Sequence, residues 1–260
     1  MKVTILGSGN VAEAIAAAVA KRPGNSEPHE IWARSGRGAE IAEAYGFTAA
    51  ASPGTLMPAD IYIMAVSDDA IPELSMRMNV PGHSVVAHTA GGVGIDAIQA
   101  STNDKAVFYP LQTFSAGRPV DFRHVPVFLE WTTPHAGDTV REFAAAIYDD
   151  INEADSRRRI KLHTAAVFAC NFTNELYSKA AALIRDEGLS SGILKPLVEE
   201  TVAKAFSVSD PSAVQTGPAV RGDNSTKERH LALLKDEDRT DYIEIYELLS
   251  KSIWETSKKI

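Results

Sequence analysis

The chain has 260 residues, of which 45% are hydrophobic and 23% charged, and a formal net charge of −8. This composition is ordinary for a soluble globular protein with one large core or two modest ones. Apart from one short arginine run, the chain lacks the clustered Lys and Arg that nonspecific nucleic-acid binding needs. Its single cysteine, Cys170, excludes an internal disulfide, and no Cys/His spacing resembles a zinc site, so we expect no metal.

The chain offers no membrane or export signal. No apolar run reaches the roughly 18 residues that a membrane-spanning helix requires. No basic and apolar leader precedes the first predicted strand, which begins at residue 2. We therefore expect a cytoplasmic protein that contacts neither membrane nor nucleic acid.

The first predicted element is a short apolar strand that runs directly into a glycine turn and an alanine-rich helix. Gly7 permits the tight turn, Gly9 lets the backbone approach a pyrophosphate, and a small residue follows where helix packs on strand. The free amides of the first helical turn then face the anion. The alternative is a purely structural turn. We predict a dinucleotide site that uses Gly7, Ser8, Gly9, Asn10 and Val11.

The end of the second predicted strand indicates which dinucleotide is bound. An acidic residue about 20 positions beyond the glycines would bind the ribose 2′-hydroxyl of NAD. This chain has Arg34 and Ser35 there instead, and Arg37 follows. A fixed positive charge with planar donors suits a 2′-phosphate, so we predict NADP as the cofactor. In the alternative interpretation, Arg34 is a solvated loop residue.

The next segments alternate between apolar strand patterns and helical spacing, which predicts βαβ units and a doubly wound parallel sheet. The predicted strands are residues 30–33, 60–66, 84–88, 106–110, 125–131 and 149–153, and the predicted helices are residues 38–45, 69–78, 95–100 and 134–148. We place the end of this dinucleotide-binding domain at residue 155, so that it spans 1–155.

Residues 156–260 carry only helical patterns and form the predicted second domain, for substrate binding and dimerisation. The predicted helices are residues 157–185, residues 191–208 and two beyond Asp223, and the Pro- and Gly-rich stretch 209–223 is a loop. The arginine run 157–159 predicts a solvated helical face, with a phosphate or dimer contact as the alternative.

Polar residues follow the predicted strands at the edge where an open parallel sheet binds its ligand. Val66 and Ser67 follow one strand, and His88 and Thr89 end the next. We predict that these four residues contact the cofactor, with the nicotinamide near them and near residues 109–114. For Ser67 and Thr89, helix capping is the alternative.

Two further groups of residues are candidates for chemistry. On the long helix, His163, Asn171 and Asn174 recur at helical spacing along an apolar stripe, and His163 is the predicted proton donor. In the loop, Thr216 and Arg221 could fix a substrate anion, unless Asp223 merely caps the next helix and Arg221 pairs locally.

The order of these motifs resembles a bacterial family that joins a Rossmann-like domain to a helical domain of unknown function and is assigned to the NADP oxidoreductases. The resemblance covers nearly the whole chain. More distantly, the chain is similar to pyrroline-5-carboxylate reductase, ketopantoate reductase and the 6-phosphogluconate and 3-hydroxyisobutyrate dehydrogenases, and its first domain resembles deazaflavin-dependent NADP reductases. The resemblance implies an α/β Rossmann domain followed by an all-helical domain, an NADP cofactor, a homodimer formed through the helical domain and an active site between domains.

The chain departs from the hydroxyacid dehydrogenases of that superfamily, which carry a catalytic lysine on the long helix and an asparagine one turn later. Here Lys161 is followed four residues on by Ala165. We therefore expect an oxidoreductase that transfers hydride between NADP and a small carbonyl or imine compound, with His163, Asn171, Thr216 and Arg221 at its site. The alternative is a protein that senses or scaffolds through NADP(H) binding without turnover.

Overall fold

The computed structural model describes residues 1–21, 27–118 and 120–259. Its contacts divide the chain into two compact units, Met1–Asn171 and Phe172–Ile260. The first unit is built on a sheet with helices, and the described part of the second is helical. No helix in the described ranges is long and apolar enough to cross a membrane.

One eight-stranded sheet organises the first unit, in the order β3-β2-β1-β4-β5-β6-β7-β8. Every neighbouring pair is parallel except β6 with β7, which is antiparallel. The order reverses direction at β1, the switch point beside which open α/β sheets bind their ligands. The strands are β1 Lys2–Leu6, β2 Glu27–Trp32, β3 Thr48–Ala49, β4 Ile61–Met64, β5 Val85–His88, β6 Lys105–Pro110, β7 Val127–Trp131 and β8 Ile151–Glu153.

Helices cover both faces of this sheet, which is why all four residues of β4 and of β5 are buried. Alternate side chains of β4 enter two separate cores: Ile61 and Ile63 pack on one face, and Tyr62 and Met64 on the other. The first core includes residues of α1, α2 and α4, and the second includes residues of α3. The helices are α1 Asn10–Lys21, α2 Arg37–Tyr45, α3 Ile71–Arg77, α4 Pro134–Ile147 and α5 Ser156–Ala166.

The fold class predicted from the sequence is confirmed, with two local differences in the first unit. The predicted helix at 95–100 is wrong, because only a 3-10 turn, Ile95–Ala97, forms there. Its apolar spacing instead reflects packing, since Ile98 is buried in the core beneath α3. The short edge strand β3 was not predicted because two exposed residues carry no hydrophobic pattern.

After α5, a π-helical turn, Val167–Phe172, precedes α6 Thr173–Asp186. The second unit continues with α7 Lys195–Ala205, α8 Pro218–Arg221, α9 Asn224–Asp236 and α10 Thr240–Ser257. The segment predicted as a loop, 209–223, contains α8 and a 3-10 turn, Pro211–Val214. Among residues 172–259, Leu234 alone is buried in the single chain.

Candidate functional site

The turn between β1 and α1 depends on glycine at its first position. Gly7 has φ +129°, and its N–H donates to the carbonyl of Trp32 at 2.8 Å. A Cβ at Gly7 would lie 2.1 Å from the carbonyl oxygen of Ala65, on the neighbouring strand connection. Because that oxygen belongs to the backbone and cannot move aside, only glycine fits where these two backbone segments come so close.

A cleft of about 590 Å³ opens beside this turn, at the carboxyl ends of β1, β2 and β4. Nearly all of the residues predicted to bind cofactor line it: Gly7, Ser8, Gly9, Asn10, Val11, Arg34, Ser35, Val66, Ser67 and Thr89. A volume of this size lies within the range of cofactor sites.

The residues around the turn suit a dinucleotide phosphate. The first helical hydrogen bond of α1 runs from the Glu13 N–H to the Gly9 carbonyl, at 3.0 Å. The amides of Asn10 and Val11 therefore have no partner inside the helix and are available to an anion. A Cβ at Gly9 would meet no atom within 4 Å, so the backbone there faces open space through which a ligand can approach.

The arginine expected at the end of β2 is placed in the same cleft. Arg34 is exposed and forms no ion pair with a carboxylate in the described ranges. Ser35 lies beside it, and its Oγ is 3.0 Å from the Oγ of Ser8. Arg37 does not line the cleft: its guanidinium bonds the carboxylate of Glu13 at 2.5 Å and so joins α2 to α1.

The cleft contains charged residues that sequence reasoning missed, Glu73 and Arg77, as well as Phe114 from the segment 109–114 that was predicted to lie near the nicotinamide. Glu73 and Arg77 of α3 line one side and form an exposed pair 3.5 Å apart. Phe114 lines it from the segment after β6, where its carbonyl accepts a bond of 3.1 Å from Nδ2 of Asn10. The sequence did carry a signal for the two residues of α3. The helix after β4 flanks the switch point of the sheet, so its polar face borders the cleft in which a ligand would bind.

His88 does not line the cleft and is fully buried at the end of β5. Its Nδ1 accepts from the N–H of Ala90 at 3.2 Å, and its Nε2 lies 3.3 Å from the carbonyl of Gly94. Burial, reinforced by the charge of Arg159, lowers the pKa of His88 from 6.5 to about 4. Its neutral ring therefore shapes the loop after β5. Ser67, by contrast, makes no capping bond, so capping does not explain it.

His163 of α5 packs against that same loop. Its Nδ1 lies 3.1 Å from the hydroxyl of Tyr109, at the end of β6. A Cβ at Gly91 would lie 2.6 Å from Nδ1 of His163 and 2.8 Å from Cε2 of Tyr109. A Cβ at Gly92 would lie 3.4 Å from Oδ2 of Asp68. Gly91 therefore makes room for the two rings, and Gly92 borders the carboxylate of Asp68.

The arginine run at the start of α5 differs from its predicted solvated face. Arg157 and Arg158 are exposed, but the side chain of Arg159 is entirely buried. It forms a hydrogen-bonded ion pair with Glu130 of β7 and donates to the carbonyl of Val93 at 2.5 Å. This pair joins α5, and with it His163 one turn further along, to the sheet and to the glycine loop.

The remaining predicted site residues lie elsewhere in the chain. Asn171 is exposed within the π-helical turn, which interrupts the regular spacing on which the predicted stripe depends. In the second unit, Thr216 and Arg221 are both exposed. Asp223 caps α9 by accepting a hydrogen bond from the N–H of Thr226 at 3.0 Å, and this hydrogen bond lowers the pKa of its carboxyl.

A Rossmann-type sheet with a glycine turn and a cleft at its switch point defines a dinucleotide-binding protein, and comparisons with known proteins identify its family. Residues 2–91 match the model of NADP oxidoreductases, coenzyme F420-dependent, and residues 125–253 match a domain of unknown function, DUF2520. No curated protein matches the chain.

Solved structures are similar to this chain over nearly its full length. A Bacteroides fragilis protein assigned to the NADP oxidoreductases is 32% identical, with 98% of each chain covered and a TM-score of 0.89. The chain belongs to this family of NADP oxidoreductases, which confirms the predicted enzyme class and the NADP cofactor.

Two more distant structures share the fold. A Thermotoga maritima protein is 20% identical, with 99% of this chain and 98% of that chain covered and a TM-score of 0.71. A reductive aminase from Aspergillus terreus, in complex with NADPH and ethyl-5-oxohexanoate, is 15% identical. The match covers 99% of this chain and 94% of that chain, with a TM-score of 0.72.

Proposed function

We propose that the protein reduces a small imine or carbonyl compound with NADPH, and that His163 supplies the proton. The observation that carries this proposal is the course of the loop after β5. Thr89 lines the cleft, and Gly91, two residues further on, packs against the ring of His163. A titratable ring thus lies next to the site in which a nicotinamide would be held.

Different residues of the cleft bind different parts of the cofactor. The amides of Asn10 and Val11, with Gly7 and Gly9, surround the pyrophosphate, because they offer donors and an unobstructed backbone. The exposed guanidinium of Arg34 pairs with the 2′-phosphate, and Ser35 adds a hydroxyl. When bound, NADPH supplies the hydride.

The proton reaches the substrate from Nε2 of His163. Charged histidine gives up this proton to the substrate nitrogen or oxygen and becomes neutral, while the substrate carbon accepts the hydride. Lys161, the only lysine of α5, is followed four residues on by Ala165 and not by the asparagine that accompanies the lysine of the hydroxyacid dehydrogenases. We propose an imine in preference to a hydroxyacid for this reason, and the reductive aminase compared above has the same fold.

The test is NADPH oxidation with the cyclic imine 1-pyrroline and with cyclohexanone plus allylamine. We expect turnover with at least one probe and a loss of about 100-fold or more in kcat for His163→Ala, the usual contribution of a positioned acid. His124→Ala is the matched control, since that histidine is exposed and does not line the cleft. Full activity of His163→Ala would overturn the assignment.

We propose that Asn171, Thr216 and Arg221 orient the substrate. All three are exposed, and Arg221 forms no ion pair in the described part of the chain. Arg221→Leu should then raise KM for an anionic imine such as pyrroline-5-carboxylate more than for 1-pyrroline. An equal effect on both probes would remove the charge recognition assigned to Arg221.

We further propose a homodimer formed through the helical unit. In one copy this unit buries little of its apolar surface: Leu197 of α7 is 66% exposed, and Phe206, directly after α7, is 83% exposed. A second copy would cover such a surface. Leu197→Glu with Phe206→Glu should give a monomer by sedimentation velocity, while Met76→Glu, at an exposed position of the first unit, should leave the dimer intact. A monomeric native protein would contradict this proposal.

A further inference from the structure

Tyr109 is in direct contact with the proposed proton donor but is absent from the cofactor cleft. Its side chain is buried at the end of β6, and its hydroxyl lies 3.1 Å from Nδ1 of His163. The two rings meet edge to face with centroids 6.0 Å apart. Gly91 packs directly against both rings, so the position of the pair is fixed by its surroundings.

The hydroxyl of Tyr109 can hold the imidazole in either of its charge states. Burial raises the pKa of Tyr109, although the charge of Arg159 opposes this, so the hydroxyl keeps its proton near neutral pH. Nδ1 of His163 is its hydrogen-bonding partner among the described residues. The hydroxyl therefore donates to Nδ1 of the neutral ring and accepts from Nδ1–H of the charged ring.

The other ring nitrogen has no such partner. Nε2 of His163 makes no hydrogen bond to a residue in the described ranges, and the ring is only partly buried. A histidine whose Nδ1 is held by a fixed group exchanges protons through Nε2. Orientation of this kind matters because a misplacement of about 1 Å can cost about 100-fold in rate.

We propose that Tyr109 is the positioning residue of the site: it anchors Nδ1 of His163 and so directs Nε2 toward the substrate. This inference rests on the proposed role of His163 as proton donor. In the transfer, the Nε2–H bond breaks, and a bond from that hydrogen to the substrate nitrogen or oxygen forms. The ring is left with its proton on Nδ1, which donates to the hydroxyl oxygen of Tyr109, and proton exchange with solvent then restores the Nε2-protonated tautomer of the resting neutral ring.

The first test is spectroscopic and needs no substrate. In the ¹⁵N NMR spectrum of the neutral His163 ring, we expect an unprotonated Nδ1 and a protonated Nε2, because the hydroxyl donates to Nδ1. In Tyr109→Phe, both tautomers should be populated and the two nitrogen resonances should move toward each other. Identical resonances in the native protein and the variant would overturn the inference, whatever the activity of the protein.

The second test is kinetic, with NADPH and 1-pyrroline. Tyr109→Phe should lower kcat by about 10-fold to 100-fold and leave the NADPH dissociation constant unchanged, since Tyr109 does not line the cleft. Gly91→Ala, which places a Cβ against both rings, should lower kcat in the same way. Tyr148→Phe is the matched control, because it removes the hydroxyl of another buried tyrosine that has no described partner.

The outcomes separate the two proposals. If His163→Ala keeps its rate, the proposed proton donor fails, and the NMR result still decides whether Tyr109 orients the ring. If His163→Ala loses its rate while Tyr109→Phe keeps the native kcat, the proton donor stands and Tyr109 has no positioning role.

Discussion

Replacing Arg159 tests whether a buried ion pair holds α5 against the sheet. Arg159→Met puts a shorter, unbranched apolar side chain in place of the guanidinium and removes its bonds to Glu130, to the carbonyl of Val93 and, at 3.2 Å, to the hydroxyl of Ser156. The carboxylate of Glu130 is only 16% exposed and would keep a single side-chain partner, Ser156.

The expected cost is large because one charge stays behind in a buried site. Removing one partner of such a pair costs about 3–5 kcal/mol, whereas replacing both by apolar groups is far less costly. We therefore expect Arg159→Met to lower the free energy of unfolding by about 3–5 kcal/mol, and Arg159→Met with Glu130→Leu to lower it by less.

The assay is equilibrium unfolding in urea, which yields the midpoint and the m value together. Arg158→Met is the control, since Arg158 is exposed and its replacement should change the free energy of unfolding by less than about 0.5 kcal/mol. A loss below about 1 kcal/mol for Arg159→Met, or a double variant less stable than the single one, would refute the reasoning.

Further predictions concern three residues of the first unit. The pKa of His88 is about 4 in the fold, against 6.5 for an ordinary histidine, so the unfolded chain binds the proton first as pH falls. The free energy of unfolding should therefore drop by up to about 3 kcal/mol between pH 6.5 and pH 4, and urea unfolding of His88→Asn should show a drop smaller by about that amount. Tyr148→Phe should raise the urea midpoint, because the buried Tyr148 hydroxyl has no described partner; an unchanged or lower midpoint would argue against an unsatisfied group. Gly7→Ala should destabilise by at least about 2 kcal/mol and abolish NADPH binding, whereas a native-like midpoint would show that the chain can relieve the contact with Ala65.

Local patterns account for what the sequence predicted correctly. The glycine turn, the buried strands and the alternation of strand and helix are short-range features, each readable within about a dozen residues. They were sufficient to predict the Rossmann-type sheet and the group of residues around Gly7 and Arg34 that lines the cleft.

Contacts between distant residues account for what was missed. Arg159 belongs to a run of charges that predicts solvent exposure, and its burial depends on Glu130 of a neighbouring strand. Tyr109 and His163 are 54 positions apart, so no spacing rule associates them. The π-helical turn that contains Asn171 breaks the α-helical period on which the predicted polar stripe relied.

The central claim is that Arg34 recognises the 2′-phosphate of NADP, and a fluorescence titration tests it most directly. The native protein is titrated with NADPH and with NADH at physiological salt, beside Arg34→Asp and Arg158→Asp, which change the net charge equally. We expect the native protein and Arg158→Asp to bind NADPH at least about tenfold more tightly than NADH, and Arg34→Asp to lose that preference. Equal binding of the two nucleotides by the native protein, or an unchanged NADPH affinity in Arg34→Asp, would contradict the account.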